Sequence, residues 1–276
     1  MFVDFGRGKV YAVTADGKEV STFDSLEDMI GKLCPDAVVI DSLPGKLQKT
    51  AAEIAKAGVL FLRLMNLRKI SEERNGVKKT NENDVKLLRG LFYRHPEAFQ
   101  PLSTSPEELE VRALTELWVE LARLKMSAKR ARTTTINLFA VEAHKTVKRF
   151  IEKLSEEIHR EALKLPFYRE DVEELGLKGP SLAYIVSHDG FLLRTLPRDR
   201  LATRYAMFDC QRRRRLSGRL LIMLANTAVI HRHPRYMKIY EYYRQKGKKH
   251  WQAVLRVAKI MSRDLQKRAR KAGPPA

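Results

Sequence analysis

Cysteine is nearly absent: Cys34 and Cys210 are the only two in 276 residues. Two thiols cannot build a disulfide framework or a four-cysteine zinc site, which points to a chain folded on its apolar core in a reducing compartment. Apolar runs are short, and none approaches the roughly 18–20 residues that cross a bilayer, so no membrane partner is expected. The opening MFVDFGRGKVY has no basic stretch leading into an apolar one, so a secretory signal is not expected either. Gly (14) and Pro (11) are in ordinary supply, which excludes collagen-like and low-complexity chains. With 44% hydrophobic and 31% charged residues the composition is that of a folded protein, and its length allows two domains.

The most telling scarcity is local. Between residues 191 and 276 there are only four acids, Asp199, Asp209, Glu241 and Asp264, beside 23 Lys and Arg, a net of +19. Residues 1–190 carry 30 Lys and Arg against 29 Asp and Glu, so almost all of the chain's +20 sits in its last third. A thermophile's charged surface would bring Glu along with the cations. A block this lopsided repels itself and calls for a polyanion, and nucleic acid is the natural one, because each phosphate neutralised releases counterions.

The first hundred residues alternate strand and helix signals. Phe2–Phe5, Lys9–Thr14 and Glu19–Phe23 are short β-prone runs linked by tight turns, Asp16-Gly17 being the strongest, and predict an antiparallel meander. Asp24 and Ser25 can cap a helix over Leu26–Leu33, where Leu26, Met29, Ile30 and Leu33 recur at helical spacing. Ala37-Val38-Val39-Ile40 is continuously apolar, as a strand buried on both faces requires. Leu47–Lys56 reads as a helix, Val59–Leu64 as another buried strand, and Glu82–Leu91 as a helix after a polar stretch. Pro96 to Pro106 marks a boundary. From Glu107 to Leu165 there is no Gly or Pro; Leu109, Leu114, Leu117, Leu121 and Leu124 form one helical stripe, and Phe139, Val147, Ile151 and Leu154 another. These predict a helical hairpin or coiled-coil arm with a turn or kink at Arg132–Thr135 and a partner hairpin to cover it. Residues Glu170–Gly273 read as mostly helical. The expected architecture is therefore α/β plus α, in three parts: 1–100, 101–166 and 167–276.

Three features could carry chemistry. Asp4 lies on the first strand, Asp41 ends the buried strand after Ile40, and Asp84 opens a helix. Carboxylates converging at a sheet rim can hold hard divalent cations, and two such metals can stabilise a phosphodiester displacement; Asp at a strand end is equally an ordinary turn residue. Gly176 and Gly179 in LGLKGPSLAYIVS could expose amides that grip a phosphate, or simply make an interhelical turn. Finally Arg212-Arg213-Arg214-Arg215, Arg219, Lys246, Lys248 and Lys249 are interleaved with Tyr236, Tyr240, Tyr242, Tyr243 and Trp251. Cations track phosphates and flat rings stack on unpaired bases, although Tyr240 and Tyr243, three apart, read more simply as helix contacts. His231 and His233 lack metal-ligand companions and read as phosphate or base contacts.

The strand and helix order resembles the ribonuclease H-like fold, in which the chemistry comes from carboxylates near adjacent strand ends. Across almost its whole length the chain resembles the DEDD-type (RuvC-like) transposases of the "one-ten" family of insertion sequences, the bridge-RNA-guided recombinases. MFVDFGRGKVYAV is similar to that family's opening strand and places its first acid at Asp4. KKTNENDVKLLRGL is similar to a Lys-Thr-Asp-x-x-Asp-Ala motif and places two acids at Asn81 and Asp84. YYRQKGKKHWQAVLRVAKIMSRDL is similar to a C-terminal Gly-Lys helix motif, here at Gly247-Lys248. The resemblance implies a RuvC-like domain, a coiled-coil arm and a basic transposase domain. It also implies Mg²⁺ at Asp4, Asp41 and Asp84, with Ser217, ahead of Gly218, as nucleophile; Cys210, two residues past Phe208, is a fallback thiol by location alone. It implies DNA and a structured guide-type RNA as partners, a homodimer or homotetramer through the arm, and a cytoplasmic, nucleoid-associated location. Three departures stand out: Asp41 replaces a Glu, Asn81 replaces an acid, and Ser217-Gly218 directly abuts its helix, as if an intervening loop were missing. They leave room for a second reading, a catalytically inactive relative that is an RNA- and DNA-binding scaffold. The core proteins of box C/D ribonucleoproteins have a similar three-part plan.

Overall fold

The structure, a computed structural model, describes residues 1–6, 8–17, 19–65, 68–74, 76–102, 105–134, 138–197, 201, 205 and 216–271. Its contacts divide the chain into two compact units, Met1–Ala113 and Leu114–Ala276.

The first unit is a mixed sheet with helices on both faces. Strand β1 (Phe2–Phe5) pairs antiparallel with β2 (Val10–Val13), and β2 with β3 (Ser21–Phe23), which is the expected meander. On its other side β1 pairs in parallel with β4 (Ala37–Ile40), and β4 in parallel with β5 (Leu60–Leu64). Helix α1 (Leu26–Leu33) starts where expected, because the Ser25 hydroxyl accepts the Asp28 N–H at 3.0 Å. Helices α2 (Gln48–Lys56), α3 (Arg68–Glu73) and α4 (Asn81–Arg94) complete the layers.

Side-chain alternation splits the core in two. Val3, Val38, Ile40 and Phe61 face α1 and α2, whereas Phe2, Val39 and Leu64 face Val85, Leu88 and Leu91 of α4. This is why β4 is apolar at every position. A sixth strand, β6 (Phe99–Pro101), pairs antiparallel with β5 and gives the order β3-β2-β1-β4-β5-β6. The prolines around it read as a boundary; three residues ending in Pro carry no strand signal of their own, and an outer strand is where a sheet tolerates a missing donor.

The second unit is helical. Helices α5 (Pro106–Thr134, beginning in the first unit) and α6 (Leu138–Ala162) are the two longest among the described residues and occupy the stretch expected to form the arm. The expected turn at Arg132–Thr135 is displaced: α5 continues through Thr134, since nothing in that stretch breaks a helix, and residues 135–137 lie outside the described residues. Then follow α7 (Pro166–Leu175), α8 (Pro180–Thr195), α9 (Leu216–Ile230), α10 (Pro234–Gln245) and α11 (His250–Lys271). α11 is the spine: Ala253, Val254, Val257, Ala258, Met261, Leu265 and Ala269 are buried at helical spacing, against α8, α9 and α10. No helix among the described residues is long and apolar enough to cross a membrane.

Candidate functional site

Two regions bear on function, one in each unit. In the first, β1 and β4 run in parallel with Val3 opposite Ile40, so one residue further along the same register brings Asp4 beside Asp41 at the strands' C-terminal ends. By alternation Asp4 shares a face with Phe2, and Asp41 with Val39, which is the face covered by α4. The first turn of α4 carries Asn81 and Asp84, with Thr80 as cap accepting the Asn83 N–H at 3.2 Å. Asn81 sits against the end of β1: a Cβ built on Gly6 would lie 2.2 Å from its Nδ2, so Gly6 leaves the room that the Asn81 side chain fills. Sheet register and helix packing thus gather Asp4, Asp41, Asn81 and Asp84 at one rim.

The electrostatics agree with that gathering. Asp4 is pushed up to about 6, first by burial, then by the Asp41 charge and more weakly by Asp84; the Phe5 N–H at 2.9 Å and the Lys79 charge oppose the rise. Burial and Asp84 also raise Asp41, against the Ser42 hydroxyl at 3.1 Å and the Ser42 N–H. The rim therefore holds negative charge that its own surroundings do not fully relieve. Asp84 differs, since Arg74 donates to its Oδ1 at 2.6 Å. Sequence reasoning missed Arg74, which lies in a polar stretch with no pattern to distinguish it from solvated charges, and gave no role to Lys79, although the motif resemblance ran through it. Among the described residues no group of three or more His, Cys, Asp or Glu side chains is arranged to hold a metal ion. In atom type and charge the donors at this rim fit a hard divalent cation, with one oxygen of Asp84 already engaged by Arg74.

In the second unit Ser217 is half-buried in the first turn of α9, next to exposed Arg219. The glycine that follows it has a packing reason: a Cβ on Gly218 would lie 2.3 Å from the Tyr205 carbonyl oxygen. Arg212–Arg215 and Cys210 lie outside the described residues. The tip between α10 and α11 holds exposed Lys246, Lys248 and Lys249, with the Lys246 ammonium 4.4 Å from the centre of the Tyr242 ring. Tyr242 (50% exposed) and Trp251 (59%) are exposed, whereas Tyr240 and Tyr243 are half-buried and the Tyr240 hydroxyl meets His250 Nδ1 at 2.9 Å. Arg256, Arg263 and Lys267 form an exposed row on α11 opposite its buried face. Their spacing of seven and then four residues was the available signal for this row, which the charge count alone passed over.

Two readings resolve toward structure. Gly176 closes α7 with φ +60°, its N–H bound to the Val172 carbonyl, and the Gly179 N–H is taken by the Tyr168 hydroxyl at 2.9 Å. Both glycine amides are thus spent inside an ordinary interhelical turn. His233 caps α10, contacts the Leu175 carbonyl through Nε2 and packs on Tyr236, so it ties α10 to α7 where a phosphate contact was expected. His231 remains exposed.

No protein-family model matches the chain, and no curated protein matches it.

Proposed function

We propose that this chain is a nucleic-acid-binding protein of the RNA-guided DEDD transposase type, with a RuvC-like first unit and a basic second unit that binds DNA and a structured RNA. The observation that carries this reading is the side-by-side placement of Asp4 and Asp41 on adjacent parallel strands, under a helix whose first turn supplies Asn81 and Asp84. An antiparallel meander flanked on its first strand by two parallel strands is also the arrangement that the ribonuclease H-like resemblance implies. Asp4 and Asp41, with the second oxygen of Asp84, would hold Mg²⁺, which when bound supplies charge stabilisation for phosphodiester cleavage. The chain's own residues have separable roles. Burial keeps Asp4 and Asp41 poorly solvated, and so eager for a cation. Ser217 supplies a hydroxyl whose oxygen bonds to phosphorus as the scissile P–O bond breaks, its proton passing to solvent and the departing strand end taking one up. The Lys and Arg of the second unit hold the polyanion.

A second reading, a binding scaffold without catalysis, draws on the Arg74–Asp84 ion pair and on Asn81, which together remove two negative charges from the rim. One experiment separates the two: incubating the chain with Mg²⁺, the matching RNA and target DNA, and looking for a covalent protein–DNA adduct. A transposase forms the adduct. Asp4→Ala, Asp41→Ala and Ser217→Ala each abolish it while RNA binding stays intact, and Asn81→Asp increases it. RNA binding with no adduct from either wild type or Asn81→Asp selects the scaffold. Absence of any nucleic-acid binding at low salt overturns both.

A further inference from the structure

The arm carries a second cationic feature that the charge map does not show, because acids elsewhere in residues 1–190 balance it. Lys125 and Lys129 lie four apart on α5, and His144, Lys145 and Lys148 lie within four residues of one another on α6, so each set occupies one helix face. The two sets wall a single hollow of about 450 Å³, lined among the described residues by these five side chains and by no acid. That space holds on the order of fifteen waters. We propose that this hollow is a phosphate-binding cradle, through which the arm grips the phosphodiester backbone of a nucleic acid.

Like charges four apart on a helix cost a few tenths of a kcal/mol each, and facing rows on two helices add to that repulsion. Lys125 and Lys129 have no acidic partner among the described residues. Lys145 reaches Glu142 at 3.1 Å and Lys148 reaches Glu152 at 3.7 Å, but all four of these side chains are about 60–70% exposed. Such pairs are worth little and yield readily to a stronger anion. Lysine is well matched to phosphate here, being a compact point charge with three donors on a flexible stem, able to follow phosphates without demanding one carboxylate geometry. The rows run along the helix axes, with successive charges about 4.5 Å and 6 Å apart in rise, so they offer a track for a linear polyanion. Solvent in the hollow exchanges for phosphate oxygens, and counterions are released.

This inference rests on the nucleic-acid reading above, and its test separates the two. The full chain is compared with the triple variant Lys125→Gln/Lys129→Gln/Lys148→Gln, which leaves the C-terminal basic block untouched. Binding to a structured RNA and to a duplex DNA is titrated across several salt concentrations. Removing three phosphate contacts lowers affinity at low salt at least tenfold and makes the slope of log K against log salt shallower by about 2–3, for at least one of the two nucleic acids. The nucleic acid whose slope changes is the one held by the arm. The Lys→Arg triple variant restores the slope, which excludes misfolding as the cause. If the Gln variant keeps wild-type affinity and slope with both nucleic acids, the cradle is overturned and the broader reading stands. If the wild type binds neither, both fall together.

Discussion

Residue by residue, this protein buries carboxylates in two different ways. At the sheet rim burial and the Asp41 charge raise Asp4, burial and the Asp84 charge raise Asp41, and a cation would relieve both. In the helical unit Asp171 is completely buried, with neither oxygen hydrogen-bonded among the described residues and Arg268 Nε at 3.7 Å. Burial pushes it up to about 8; Arg268 opposes the rise, while Glu170, Glu174 and Asp264 add to it. A carboxyl whose folded pKa lies above its unfolded 3.8 takes up a proton on folding. Stability is therefore greatest below about pH 4 as far as this group is concerned, and declines as the pH rises from there through about 8. Asp171→Asn removes that decline. Arg268 is not stranded by the change, because Glu174 lies 3.2 Å from it and the Glu170 carbonyl also accepts from it. Urea unfolding at pH 4 and pH 8.5 should show the variant matching wild type at the lower pH and exceeding it by on the order of 1–3 kcal/mol at the higher. Equal stabilities at both would mean that Asp171 is solvated or paired.

For the elements, the connection between α7 and α8 shows how a short segment can be read in two ways. Its glycines resemble a phosphate grip in sequence, yet Gly176 is a left-handed helix cap. Gly179 has φ +105° and ψ 179°, a region essentially closed to residues with a Cβ. A Cβ there would meet nothing within 4 Å, so Gly179→Ala isolates backbone strain from crowding. It should cost about 1–3 kcal/mol in chemical denaturation of the chain. A loss under about 0.5 kcal/mol would show that the turn relaxes freely. The Tyr168 hydroxyl, which accepts the Gly179 N–H and meets His159 Nδ1 at 2.8 Å, explains why this turn is fastened to α6.

Across the whole molecule the arm leaves apolar surface uncovered. Leu117 (51% exposed), Leu124 (52%) and the half-buried Leu121 between them follow the seven-residue seam of a coiled coil on α5, and Phe150 (59%) is exposed on α6. A second copy of the chain is the expected cover, since two identical seams satisfy each other. Light scattering on protein stripped of nucleic acid should give the mass of a dimer or tetramer, and Leu117→Glu/Leu124→Glu should shift it toward monomer. A monomeric wild type at micromolar concentration would refute the association.

Much of this was legible in the chain itself, because local periodicity and caps act over a few residues. Helix α1 begins and ends where Ser25 and its apolar spacing require, β4 is apolar at every position because it is covered on both sides, and the Gly- and Pro-free stretch becomes α5 and α6. The concentration of charge in the last third is likewise a property of sequence alone. Other features needed long-range geometry. That Asp4 stands beside Asp41 follows from a parallel register between strands 37 residues apart, and no local pattern sets that register. β6 exists because β5 offers an edge, Asp84 meets Arg74 because two helices pack, and the lysines of α5 and α6 face one hollow because the arm folds back on itself. Sequence determined which residues could carry charge or enter a core; only the tertiary structure decided which of them are neighbours, since Coulomb and contact energies depend on distance in space and hardly at all on distance along the chain.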